Sequence, residues 1–113
     1  MKFFVVASVA PMRQFVINSE ATEFQQARPH LMAALAPILE VEHAFLRHDS
    51  LVGCNEVFGE YSEDELRAAV QADPSCAKGE LSDNAREAVR AALTGNSLLK
   101  RGLAAELILA WQE

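Results

Sequence analysis

Cysteine is scarce in this chain of 113 residues: Cys54 and Cys76 are the two it has. That is too few for a disulfide framework or a four-ligand zinc site, and it points to a reducing, cytoplasmic setting. Positive charge is also short, with 10 Lys and Arg against 16 Asp and Glu and a formal net charge of -6. An acidic surface repels phosphate, which argues against nucleic acid and anionic membranes as partners and favours basic protein surfaces. No apolar run approaches the roughly 20 residues that span a bilayer. The opening KFFVVASVA has a lysine, an apolar stretch and a small-residue end, but it is too short for a leader and runs into Pro11. It reads as structure. The glycines, at Gly53, Gly59, Gly79, Gly95 and Gly102, are scattered and form no phosphate-cradling loop.

What is present is ordinary globular composition, 50% hydrophobic and 23% charged, enough for one core and one domain over residues 1–113. Phe3 to Val9 is apolar on both faces and reads as a buried strand; Pro11 breaks it, and Arg13 to Asn18 alternates as a second, half-exposed strand. Thr22-x-x-Gln25 is a capping box that opens a helix near residue 20.

The strongest pattern follows. Phe24, Leu31, Ile38 and Phe45 are each seven apart, with Ala27, Ala34 and Val41 three residues after the first three. That is a helical seam. Pro29 and Pro37 interrupt it, and an interior proline costs roughly 3 kcal/mol. The spacing favours a helix continuing to His48 with a kink at Pro37. The competing reading stops the helix at Ala36, because a residue before proline avoids helical geometry. It then makes strands, with Val41, His43 and Phe45 alternating, a turn at His48-Asp49-Ser50, and a partner strand from Leu51 to Tyr61.

Beyond Ser62 the signals are cleaner. Ser62-x-x-Glu65 is a capping box, Leu66, Ala69 and Val70 form a narrow apolar face, and Asp73-Pro74 ends the helix. Ser82 caps DNAREAVRAAL, with Ala85, Val89, Ala92 and Leu93 on one face and Gly95 as the stop. A last helix runs from Asn96 or Ser97 to Gln112, and its leucines with Ile108 and Trp111 spread over most of its circumference. Such a helix must be surrounded, by its own core, by a second copy or by another protein. The expected fold is α+β and predominantly helical, a short N-terminal strand or hairpin followed by about four helices. A ferredoxin-like α+β fold with extra C-terminal helices, or an all-α bundle, is the alternative.

Catalytic constellations fall short. Glu40-x-x-His43 matches half of a carboxylate-bridged di-metal motif, but no second copy exists. His30 and His48 are isolated, and Cys54 with His43 or His48 as base has no sequence support for proximity. We therefore expect no catalytic residue, no metal and no cofactor. The segment 82–112 has the outline of a helix-turn-helix with Lys100 and Arg101 early in its second helix, yet that helix is crowded with leucine.

Two features point to protein binding. NEVFGEYSEDE sets Glu56, Glu60, Glu63, Asp64 and Glu65 around Phe58 and Tyr61, acids with apolar anchors. The over-apolar last helix supplies Leu99, Leu103, Leu107 and Trp111. The expected function is a small acidic inhibitor or regulator without enzymatic activity. It binds another protein with a basic or apolar surface through Phe58, Glu60, Tyr61 and those four residues, with a homodimer as one way to cover them. The alternatives are a ferredoxin-like small-ligand module using His43 and a DNA reader over 82–112.

Overall fold

The structure is a computed structural model and describes residues 3–9, 11–59, 61–94 and 96–111. The N-terminal pair forms as expected: β1 (Phe4–Val9) and β2 (Met12–Asn18) are an antiparallel hairpin. Its register slips between Val6 and Ser8, leaving Ala7 as the extra residue of a β-bulge.

The hairpin is not alone, which corrects the expectation of a lone N-terminal hairpin. Two further strands, β3 (Leu35–Ile38) and β4 (Ser50–Gly53), complete a four-stranded antiparallel sheet in the order β1-β2-β4-β3. A direct β1–β2 hairpin is not ferredoxin-like topology, which needs helical crossovers between its strands. The all-α alternative fails with it.

The long helix expected from residue 20 to 48 is also corrected. The Thr22 capping box is present, with Thr22 Oγ1 accepting from Gln25 N–H, but α1 (Glu23–Gln26) lasts a single turn. Arg28, ahead of Pro29, takes an extended conformation at φ -130° and ψ 105°, and α2 (Pro29–Met32) is another single turn. Pro37 then lies within β3, an edge strand, where its missing N–H removes no ladder bond. The seven-residue spacing joins no common face: Phe24 is 62% exposed under the Arg28 guanidinium, while Ile38 is in the core. Residues 40–42 form one 3-10 turn rather than α-helix. The competing strand reading started its second strand within one residue of β4, but it placed the first strand too late and ran the second on to Tyr61 instead of Gly53.

From Ser62 onward the capping signals hold. Ser62 and Glu65 exchange both capping-box bonds at the start of α3 (Glu63–Ala72), and Ser82 Oγ accepts from Ala85 N–H to open α4 (Asp83–Leu93). Gly95, the expected stop, lies outside the described residues. The final helix α5 (Arg101–Ala110) starts later than expected, because the Asn96 side-chain oxygen accepts from Leu98 and Leu99 N–H and holds those residues in a turn. Gln112 is outside the described residues.

Alternation decides which side of the sheet is the core. Val5, Ala7, Phe15, Ile17, Val52, Ala36 and Ile38 point to one face, and α4 and α5 cover it with Ala85, Val89, Leu93, Leu107 and Trp111. Each large aliphatic or aromatic side chain fully buried there contributes about 1.5–3 kcal/mol. On the opposite face of the β1–β2 hairpin, α3 lies across an open groove and Tyr61 stacks on Phe4. Among the described residues no helix is long and apolar enough to cross a membrane.

Candidate protein-docking surface

A polar clamp sets the position of the outer face. Gln14 is 2% exposed, and its backbone makes a two-way bridge with Phe58, N–H to O at 2.7 Å and back at 2.9 Å. Its side chain grips Tyr61 as well, with Nε2 donating to the Tyr61 carbonyl at 3.1 Å and Oε1 accepting from Tyr61 N–H at 3.4 Å. The chain leaving β4 is thereby pinned back onto β2, and Tyr61 stacks on Phe4 with ring centroids 5.4 Å apart and an interplanar angle of 22°. Phe58 is half-buried beside a small notch of about 240 Å³ that includes Asn55 and Glu56.

Beyond Tyr61, α3 runs beside the hairpin and leaves an open groove of about 430 Å³. Val6, Val9 and Met12 line it from the hairpin, and Leu66 and Val70 from the helix. Val6 is 43% exposed and Val9 55%, which corrects the expectation of a strand buried on both faces. Glu63 and Arg67 edge the groove as an ion pair at 2.6 Å, and the Glu63 carboxylate raises the Arg67 pKa first by hydrogen bonding and then by charge. Asp64 and Glu56 are exposed nearby in sequence and in neither case paired in an ion bridge among the described residues. The groove is therefore apolar in its floor, with the Glu63–Arg67 pair and Gln71 as its polar edge.

The residues expected at the site divide. Phe58 and Tyr61 lie together on the outer face, and Glu60 is outside the described residues. Leu99 and Leu103 are half-buried against the core on the other side. Leu107 is 0% and Trp111 8% exposed, so neither is available to a partner, which corrects their assignment as contact residues. Trp111 instead serves the interior. Its Nε1–H donates to the carbonyl of bulged Ala7 at 3.1 Å, occupying an acceptor on edge strand β1. The bare surface of α5 is smaller than its sequence suggests, because the sheet is broad enough to bury one side of it. Leu109, at 68% exposed, remains outside.

The outer-face residues Phe4, Val6, Val9 and Met12 were missed. The signal was a strand apolar on both faces followed by only one strongly amphipathic helix pair to cover it.

The groups considered for chemistry have structural work. His43 is 2% exposed; Nδ1 donates to the Leu39 carbonyl at 2.7 Å and Nε2 accepts from Ser82 N–H at 3.0 Å. Those two bonds fix its neutral tautomer and tie the 3-10 turn to the start of α4. Glu42 accepts from Asn84 Nδ2 and Ser82 Oγ, both at 2.7 Å, and these bonds, Asn84 first, hold its pKa below the ordinary value. Burial pushes the Cys54 thiol up to about 12, which leaves no thiolate at neutral pH. Among the described residues no group of three or more His, Cys, Asp or Glu is placed to hold a metal ion. The exposed residues of α5 include Arg101, Ala105, Glu106 and Leu109, and Glu106 pairs with Arg13 of β2 at 3.1 Å, a poor match to a phosphate backbone.

No family model, no curated protein and no solved structure matches this chain.

Proposed function

We propose that this chain is a non-enzymatic regulatory protein that binds another protein through the outer face of its β1–β2 hairpin and the facing side of α3. The observation that carries the reading is the contiguous apolar surface of Phe4, Val6, Val9, Tyr61 and Val70, each at least 39% exposed. Apolar patches rimmed by polar residues mark protein interaction sites. Carboxylates at the start of α3 and the net charge of -6 select the partner's chemistry: a basic amphipathic segment, apolar on one side and lysine- or arginine-rich on the other.

The test is capture at low salt from the native cell with three forms of the protein: unaltered, Val9→Lys/Val70→Lys, and Leu109→Lys. Both altered surfaces are already exposed, so the fold tolerates the charge, and circular dichroism checks it. The reading expects a partner retained by the unaltered and Leu109→Lys proteins and weakened about tenfold or more by the double variant. Retention lost only with Leu109→Lys would move the contact to α5 and overturn the assignment.

A further inference from the structure

We infer that α3 is a hinged flap over the apolar face of the β1–β2 hairpin, and that its opening and shutting governs access to Val6, Val9 and Met12. The inference rests on the docking surface proposed above and adds a moving part to it. No residue of α3 is buried: Glu63 and Leu66 are half-buried, and the other eight are exposed. Among the described residues, every hydrogen bond made by 62–80 stays within that segment.

The helix satisfies its own ends. The Ser62–Glu65 capping box closes the first turn, and at the last turn Asp73 N–H donates to the Ala69 carbonyl at 2.9 Å on residues that are exposed to water. It can therefore move as a unit without orphaning a backbone group.

Its two attachments differ in kind. The base is clamped, because Gln14 holds both the N–H and the carbonyl of Tyr61. The far side is slack. Asp73 to Glu80 is exposed throughout, and Gly79 sits at φ +122° with nothing within 4 Å of where a Cβ would stand. A left-handed glycine in open space is a free pivot. The groove of about 430 Å³ beneath α3 is the room through which the flap travels. Segments with few buried contacts open at far lower free energy than the core.

Hydrogen exchange on the isolated protein tests this without any partner. The account expects α3 amides to exchange at least about a hundredfold faster than those of α4, with the Gln14–Phe58 bridge still protected. Equal protection of α3 and α4 would overturn it. A second measurement uses Pro11→Cys/Gln71→Cys, two exposed positions at the groove's edge and outside the apolar patch, in a Cys76→Ser background, joined by a short bis-maleimide. The crosslink should slow α3 exchange and, if the docking surface is right, abolish partner binding that the unlinked variant retains. Unchanged α3 exchange after crosslinking would refute the flap. Slowed exchange with no change in binding would keep α3 mobile but remove its control of access, refuting the gating half. A failure to find any partner leaves the exchange result standing, so the flap and the docking surface fail separately.

Discussion

Replacing Trp111 with phenylalanine separates a core role from a contact role at the end of the chain. The indole is 8% exposed and Ala7, whose carbonyl it bonds, is 3% exposed. Phenylalanine keeps an aromatic ring there but removes the N–H, leaving a buried carbonyl unpaired at about 1–3 kcal/mol. The smaller ring adds about 1 kcal/mol in lost apolar burial and residual cavity. The total is about 2–4 kcal/mol, and for a domain of this size that lowers Tm by roughly 10–25 °C. Urea unfolding followed by far-UV circular dichroism measures it without depending on tryptophan fluorescence. The denaturant slope should stay constant while the midpoint falls. A loss below about 0.5 kcal/mol, within the range of ordinary surface substitutions, would refute the assignment of Trp111 to the core.

Three further outcomes follow from the same geometry. Thiol titration of the native protein should find one reactive group, Cys76, with Cys54 silent until the chain unfolds, because one is exposed and the other is buried with its pKa near 12. Glu42→Gln should flatten the acid limb of the stability curve. A carboxylate whose folded pKa is depressed stabilises above its ordinary value of 4.5, and that contribution is lost as pH falls through the folded value, so the two proteins differ in slope below pH 4.5 and the gap between them closes there. Ser82→Ala and Ser62→Ala each remove an N-cap bond, about 1 kcal/mol in a coupled helix, and the first also removes the bond from Ser82 Oγ to Glu42. The first should lower the global unfolding midpoint, since α4 is in the core, and the second should leave it unchanged while speeding exchange in α3.

How far the chain could be read ahead depended on whether its signals were local. The caps at Thr22, Ser62 and Ser82 each involve residues three apart, and all three helix starts stand where those caps put them. The buried stripe Ala85, Val89, Ala92, Leu93 was likewise written in one helix's periodicity. Residues 24–48 misled because their seven-residue spacing was an accident of composition. β3 is only four residues long, and its pairing with β4 is a long-range event that no window of sequence displays. At the docking surface, Phe58 and Tyr61 were visible as aromatics among acids. Phe4, Val6 and Val9 were not, because a strand apolar on both sides does not say which side its helices will leave bare. Trp111 failed in the opposite direction: a greasy terminal helix looked uncovered until the sheet it packs on was in view.

The most direct test of the central claim places a photo-crosslinking side chain at one position at a time and asks which copy captures the partner. Positions 9 and 70, on either side of the groove, should each yield a covalent adduct at low salt that fades as salt rises, and position 109 on α5 should yield none. Adducts formed from position 109 alone would contradict the account.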